Sequence, residues 1–139
     1  MFNQRLYHTD GGAARAVKQL QSWVERQGWN TILPAFARCV RITRDQKKTF
    51  KVLAKSFIEK EEKDLFQALG KAEKSPRANG SVDDFLNVFE PMIPTVNTFF
   101  DKVLVMAKEK AVRENRLGLL QRITALSNGV ADLSKLEGF

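Results

Sequence analysis

Cysteine and histidine are nearly absent: Cys39 and His8 are the only ones in 139 residues. A lone thiol forms no internal disulfide, so the fold must rest on packing and suits a reducing compartment. One thiol and one imidazole also fall short of a metal-ligand set. Cys39 stands in AFARCV among residues that read as buried, which marks it as a small packed hydrophobe and not a nucleophile. No apolar run approaches the roughly 18 to 20 residues that cross a bilayer, and the amino terminus lacks the basic-then-apolar layout of a signal peptide. A soluble chain is predicted.

Strand signals are scarce too. Only VLVM, 103–106, has strand-like composition, and after a helical stripe it reads as the buried last turn of that helix. No phosphate-cradling loop is present, because Gly11-Gly12 lacks the preceding strand, the third glycine and the lysine. Asp83-Asp84 and Glu61-Glu62 are neighbours in sequence and so point to different sides of a helix. They read as solvated caps and faces, and catalysis within this segment is not expected.

What the chain does have is apolar residues at helical spacing and an excess of positive charge. At 43% hydrophobic it can close one core, and a net charge of +7 directs it toward polyanionic partners. Residues 1–12 are polar without periodicity and read as a disordered start, the ragged edge of an excised fragment. Residues 13–139 are then one helical domain.

A first helix is predicted over 13–27, with Val17, Leu20 and Val24 on its stripe, Trp23 beside them, and Gly28 ending it. The second begins at Asn30 or Thr31, with Pro34 in its first turn and Leu33, Phe36, Ala37 and Val40 inward. A capping-box pattern, T-R-D-Q at 43–46, opens a third over 43–58 with Phe50, Leu53, Ala54 and Phe57 buried. A short fourth carries Leu65, Phe66 and Leu69 and stops at Gly70, and 71–80 is an exposed loop. Ser81 caps a fifth, with Asp84 answering as its third-position acid. Pro94 starts a sixth with Val96, Phe99, Phe100 and Val103 inward. The last helix runs over 108–127 on Val112, Leu119, Ile123 and Leu126, and Val130, Leu133 and Leu136 fold back on the bundle. The fold class is all-α, a bundle of about six to seven helices.

Between Arg38 and Lys55 stand seven basic residues against Asp45 alone, a local balance of +6. Arg44, Lys48, Lys51 and Lys55 would form a basic stripe on the third helix. Like charges at that spacing repel, so an anionic ligand is expected to offset the cost. Arginine clamps a phosphate or a guanine edge with two hydrogen bonds and lysine supplies mainly charge. Arg38, Arg41 and Arg44 therefore suit readout, and Lys47, Lys48 and Lys51 suit positioning. Phe99 and Phe100 read as core, which leaves Trp29 as the aromatic that could stack on a base.

The stretch PTVNTFFDKVLVM, 94–106, followed by AVRENRLGLL, 111–120, closely resembles the end of the glycyl-tRNA synthetase β subunit. VADLSKL, 130–136, resembles that family's carboxy terminus, and FARCVRI, 36–42, and EKDLFQAL, 62–69, match more loosely. Ala37 and Arg41 stand where lysine and asparagine are usual, and Asn97, Lys102, Lys108 and Lys110 also depart, making the surface more basic. The resemblance implies a DALR-like anticodon-binding domain, similar to that of arginyl-tRNA synthetase, over 13–139. It implies glycine tRNA as ligand, and the α subunit or segment and the rest of the β subunit as partners. No cofactor is expected in this segment, the ATP and Mg²⁺ of the whole ligase lying elsewhere. The compartment implied is a bacterial cytoplasm, or alternatively an organelle of bacterial descent. Arg113, Asn115 and Arg116 match the family motif and join the candidate RNA-binding residues, with Asp101 as an alternative, structural partner for Arg116. A competing reading is a helical module whose basic face docks an acidic protein such as the α subunit. Peripheral membrane binding by a 44–58 helix ranks last, because its apolar side is needed by the core.

Overall fold

The structure, a computed structural model, describes residue 18 and residues 21–25, 28–78 and 81–128. The described residues include a helical stretch at 21–24, five further α-helices and two short 3-10 turns, and contain no strand. The helices are α1, Trp29–Thr43; α2, Lys60–Lys74; α3, Val82–Phe89; α4, Ile93–Lys102; and α5, Lys110–Ala125. The all-helical class is as expected, but the helix count is lower. One predicted helix does not form. The expected disordered start at 1–12, most of the helix expected over 13–27 and the tail from Gly129 lie outside the described residues.

Gly28 adopts φ 99°, a left-handed conformation that an L side chain resists, at the residue that precedes α1. Trp23 is buried and its Nε1 donates to Asp83 Oδ1 at 2.8 Å, whereas Val24, placed on the stripe by spacing, is exposed. Pro34 lies in the second turn of α1, not the first, because the helix starts at Trp29. Ile32, Leu33, Ala35, Phe36, Ala37 and Cys39 form its buried side. Phe36 meets Phe85 and Phe89 of α3 edge-on at centroid distances of 4.9 and 5.3 Å, an aromatic knot joining the two helices.

The helix α2 runs straight through Gly70 and ends at Lys74, with Ser75 already extended before Pro76. Glycine lowers helix propensity without forbidding helix, whereas the residue before proline is pushed to extended backbone. At the other end of α2, Glu59 and Glu62 form a reciprocal capping box. Ser81 caps α3 as expected, its Oγ accepting from Asp84 N at 3.1 Å, while the Asp84 carboxylate accepts from Ala78 N instead of closing the box. Pro94 sits at the start of α4, and Val96 and Phe99 are fully buried.

The helix α4 stops at Lys102, and VLVM is not its last turn. Val103 is extended; Val103 and Val105 are buried while Leu104 and Met106 are exposed, the two-residue alternation of an extended segment. The helix α5 is buried along 115–120 without interruption and packs against α1 and α2, with α4 lying against α2 and α1. A helix covered on all sides is the centre of its bundle. Among the described residues no helix is long and apolar enough to cross a membrane.

Candidate nucleic-acid interface

The predicted helix over 43–58 is instead an extended strap. The Thr43 hydroxyl donates backward to Cys39 O at 2.7 Å and so does not cap a new helix. Beyond the turn at Arg44 and Asp45 the chain crosses α5, with one 3-10 turn at Ala54–Ser56. Two side-chain amides of α5 hold it. Gln121 Oε1 accepts from Phe50 N at 2.8 Å and Gln121 Nε2 donates to Lys48 O at 2.8 Å. Asn115 Oδ1 accepts from Leu53 N at 2.7 Å and Asn115 Nδ2 donates to Leu53 O at 3.1 Å. Backbone groups that a helix would have satisfied internally are thus satisfied from outside. Between the two amides, Gly118 brings the backbones together: a Cβ there would stand 2.9 Å from Phe50 O.

Phe50 and Val52 are half-buried on the strap's inner side, while Lys47, Lys48, Lys51 and Lys55 are exposed. Arg38 and Arg41 are exposed on the carboxy-terminal half of α1, and Arg44 is exposed at its C-cap, where the chain leads into the strap. Helix carbonyls point out of that end, and the resulting partial negative charge favours cations there. The Arg38 guanidinium lies 4.2 Å from the Phe100 ring centroid, so a half-buried aromatic holds its plane. No carboxylate of the described residues pairs with Arg44, Lys47, Lys48, Lys51 or Lys55. Among the described residues these cations are left to solvent or to an anionic ligand.

Three sequence candidates lie elsewhere. Arg113 Nη1 donates to Ala107 O and Lys108 O at 3.1 and 3.3 Å, bracing the turn into α5. Asn115 is buried and committed to Leu53. Arg116 is also buried, donating to Leu104 O at 2.8 Å and to Glu62 Oε1 at 3.1 Å. Its acidic partner is Glu62, not Asp101, which is exposed. Glu62, expected to be solvated, is 1% exposed and also accepts from Ile58 N and Glu59 N, so one carboxylate joins the strap's end, α2 and α5. Trp29 is half-buried against the core. Gln121 and Gly118 were not among the candidates; an isolated glycine within a helical pattern was the available sign of a close backbone approach.

A family model described as the DALR anticodon binding domain matches residues 32–133. The chain belongs to this family. The match takes in nearly all of α1, the strap and the four later helices of this DALR domain. Among curated relatives, the glycine–tRNA ligase beta subunit of Myxococcus xanthus is 36% identical over 131 residues, covering 90% of this chain and 19% of the relative. That of Moorella thermoacetica is 31% identical over 127 residues, covering 89% and 18%. The chloroplastic/mitochondrial glycine–tRNA ligase 2 of Arabidopsis thaliana is 30% identical over 129 residues, covering 91% and 12%. The domain spans less than a fifth of the length of each of these three relatives.

Proposed function

We propose that this domain binds the anticodon arm of glycine tRNA as the carboxy-terminal part of a glycyl-tRNA synthetase β subunit. The observation that carries the reading is the run of exposed cations from Arg38 to Lys55, five of which have no carboxylate partner among the described residues. Phosphate contacts fix register, and arginine planes can take unstacked bases. Arg38, Arg41 and Arg44 serve readout in this assignment, and Lys47, Lys48, Lys51 and Lys55 the backbone. Arg113, Asn115 and Arg116 build the platform.

The reaction supported belongs to the whole ligase: glycine, ATP and tRNA give glycyl-tRNA, AMP and pyrophosphate. Among the described residues no three His, Cys, Asp or Glu side chains gather where a metal ion could sit. The domain's part is to hold the tRNA while the α subunit or segment acts on its far end. A bacterial cytoplasm is the compartment proposed, with the plant relative pointing to an organelle as the alternative.

Filter binding with glycine tRNA and with unrelated tRNAs over a salt series tests the reading. A preference for glycine tRNA is expected, and with about five phosphate contacts the affinity falls on the order of a hundredfold between about 50 and about 200 mM salt. Equal binding of all tRNAs overturns it.

One observation favours a protein partner as well. Leu53, Ile58, Leu104 and Met106 are 50%, 61%, 68% and 49% exposed. Ile58 and Leu104 lie together, because the backbone of each is bonded to the Glu62–Arg116 pair. Aliphatic side chains suit the core of a protein interface, so this side faces the rest of the ligase. Cross-linking from Lys102 and Lys108, beside that patch, to the remaining subunits is expected, and its absence in the assembled enzyme argues against this contact.

A further inference from the structure

We infer that Asn115, Gly118 and Gln121 are positioning residues for tRNA binding: the two amides form a hydrogen-bond ladder on α5, with the glycine letting the strap close onto the helix between them, and this holds the strap's lysines toward the ligand. The inference rests on the proposed RNA-binding role of the strap. Each amide uses both its acceptor and its donor on strap backbone, at 2.7 to 3.1 Å, as a neighbouring β-strand would. The three residues recur at steps of three and therefore lie along one side of the helix. The glycine between the amides leaves no room for even a methyl group, since its Cβ would meet Phe50 O at 2.9 Å and Val52 Cγ2 at 3.1 Å.

The consequence for the lysines is geometric. In a helix, residues 48 and 51 would be only about 4.5 Å apart along the axis, whereas the non-helical backbone of the strap allows a separation of up to roughly 10 Å. Extended, the ammonium groups repel less and can each meet a separate phosphate. Alternation along the strap turns Phe50 and Val52 toward α5 and leaves Lys51 in solvent. None of the three ladder residues touches RNA in this scheme; they act by fixing where the lysines stand.

The test is a double-mutant cycle on glycine tRNA affinity, read over a salt series with the full chain. Gln121→Met keeps the side-chain bulk and removes both bonds, and because Gln121 is only half-buried the fold is expected to survive, which circular dichroism checks. Expected results are an affinity loss of about tenfold, a salt dependence reduced by about one phosphate contact, and a Lys48→Gln penalty smaller in the Gln121→Met background than in the parent chain. Penalties that simply add, or an unchanged salt dependence in Gln121→Met, overturn the inference while leaving the RNA reading intact. Parent affinity indifferent to both Lys48→Gln and Lys51→Gln overturns the strap's RNA role and the inference together. Should Gln121→Met fail to fold, Gly118→Ala replaces it. Alanine favours helix over glycine, so the added methyl displaces the strap before it disturbs α5, and the same non-additivity with Lys48→Gln is expected.

Discussion

Cys39 is fully buried on the inner side of α1, and burial pushes its thiol up to about 12. The unfolded chain ionises this thiol near its ordinary value of 9.0, and the folded chain does not. The resulting stability is complete below about pH 9 and is lost as pH rises from there toward 12, at about 1.4 kcal/mol per unit. Native protein is therefore expected to resist a thiol-specific reagent at pH 8 and to react fully in denaturant; rapid labelling of the folded chain would contradict this burial. Arg116 is the other residue whose role turns on its surroundings. Arg116→Met strips the cation from a buried Glu62 and is expected to cost about 3–5 kcal/mol in urea unfolding. Once folded, the variant should bind tRNA as the parent does, since the guanidinium faces Glu62 and Leu104. At Arg122 the Glu73 hydrogen bond holds the guanidinium above its ordinary range, and the pair ties α5 to α2.

At the scale of elements, two helical glycines invite opposite predictions. A Cβ on Gly70 meets nothing within 4 Å, so Gly70→Ala should stabilise α2 by about 1 kcal/mol. Gly118→Ala gains the same propensity but drives a methyl into Phe50 O, and a net loss of about 1–2 kcal/mol is expected, with faster amide exchange at Phe50 and Leu53. Equal effects of the two substitutions would mean that the strap does not lie where the structure puts it. The helices α3, α4 and α5 were legible in the chain because Ser81, Pro94 and an unbroken apolar pattern fix them locally. The strap was not. Its spacing of Phe50, Leu53, Ala54 and Phe57 is good helical periodicity, yet Leu53 and Ala54 are exposed. What decides against helix is a pair of amides more than sixty residues away in sequence. Asn115 and Arg116 were visible as motif residues for the same reason that their role was hidden, since a polar side chain on a buried helix looks from sequence like a ligand group.

For the whole molecule, the charge imbalance was fully legible and the means of displaying it was not. Seven cations between residues 38 and 55 were read as two helix faces, and the structure divides them between the end of α1 and an extended strap across α5. Phe36, Phe85, Phe89 and Phe99 are all buried in the core. Replacing Lys47, Lys48 and Lys51 together by glutamine should weaken glycine tRNA binding by about tenfold or more at low salt and little at high salt, with melting temperature nearly unchanged. An amide NMR titration of the chain with the anticodon stem-loop of glycine tRNA tests the central claim most directly. Shifts gathered at Arg38, Arg41, Arg44 and along 47–55, absent with an unrelated stem-loop, are predicted; shifts gathered instead on α3 and the Glu90–Met92 turn, or identical with both RNAs, would contradict it.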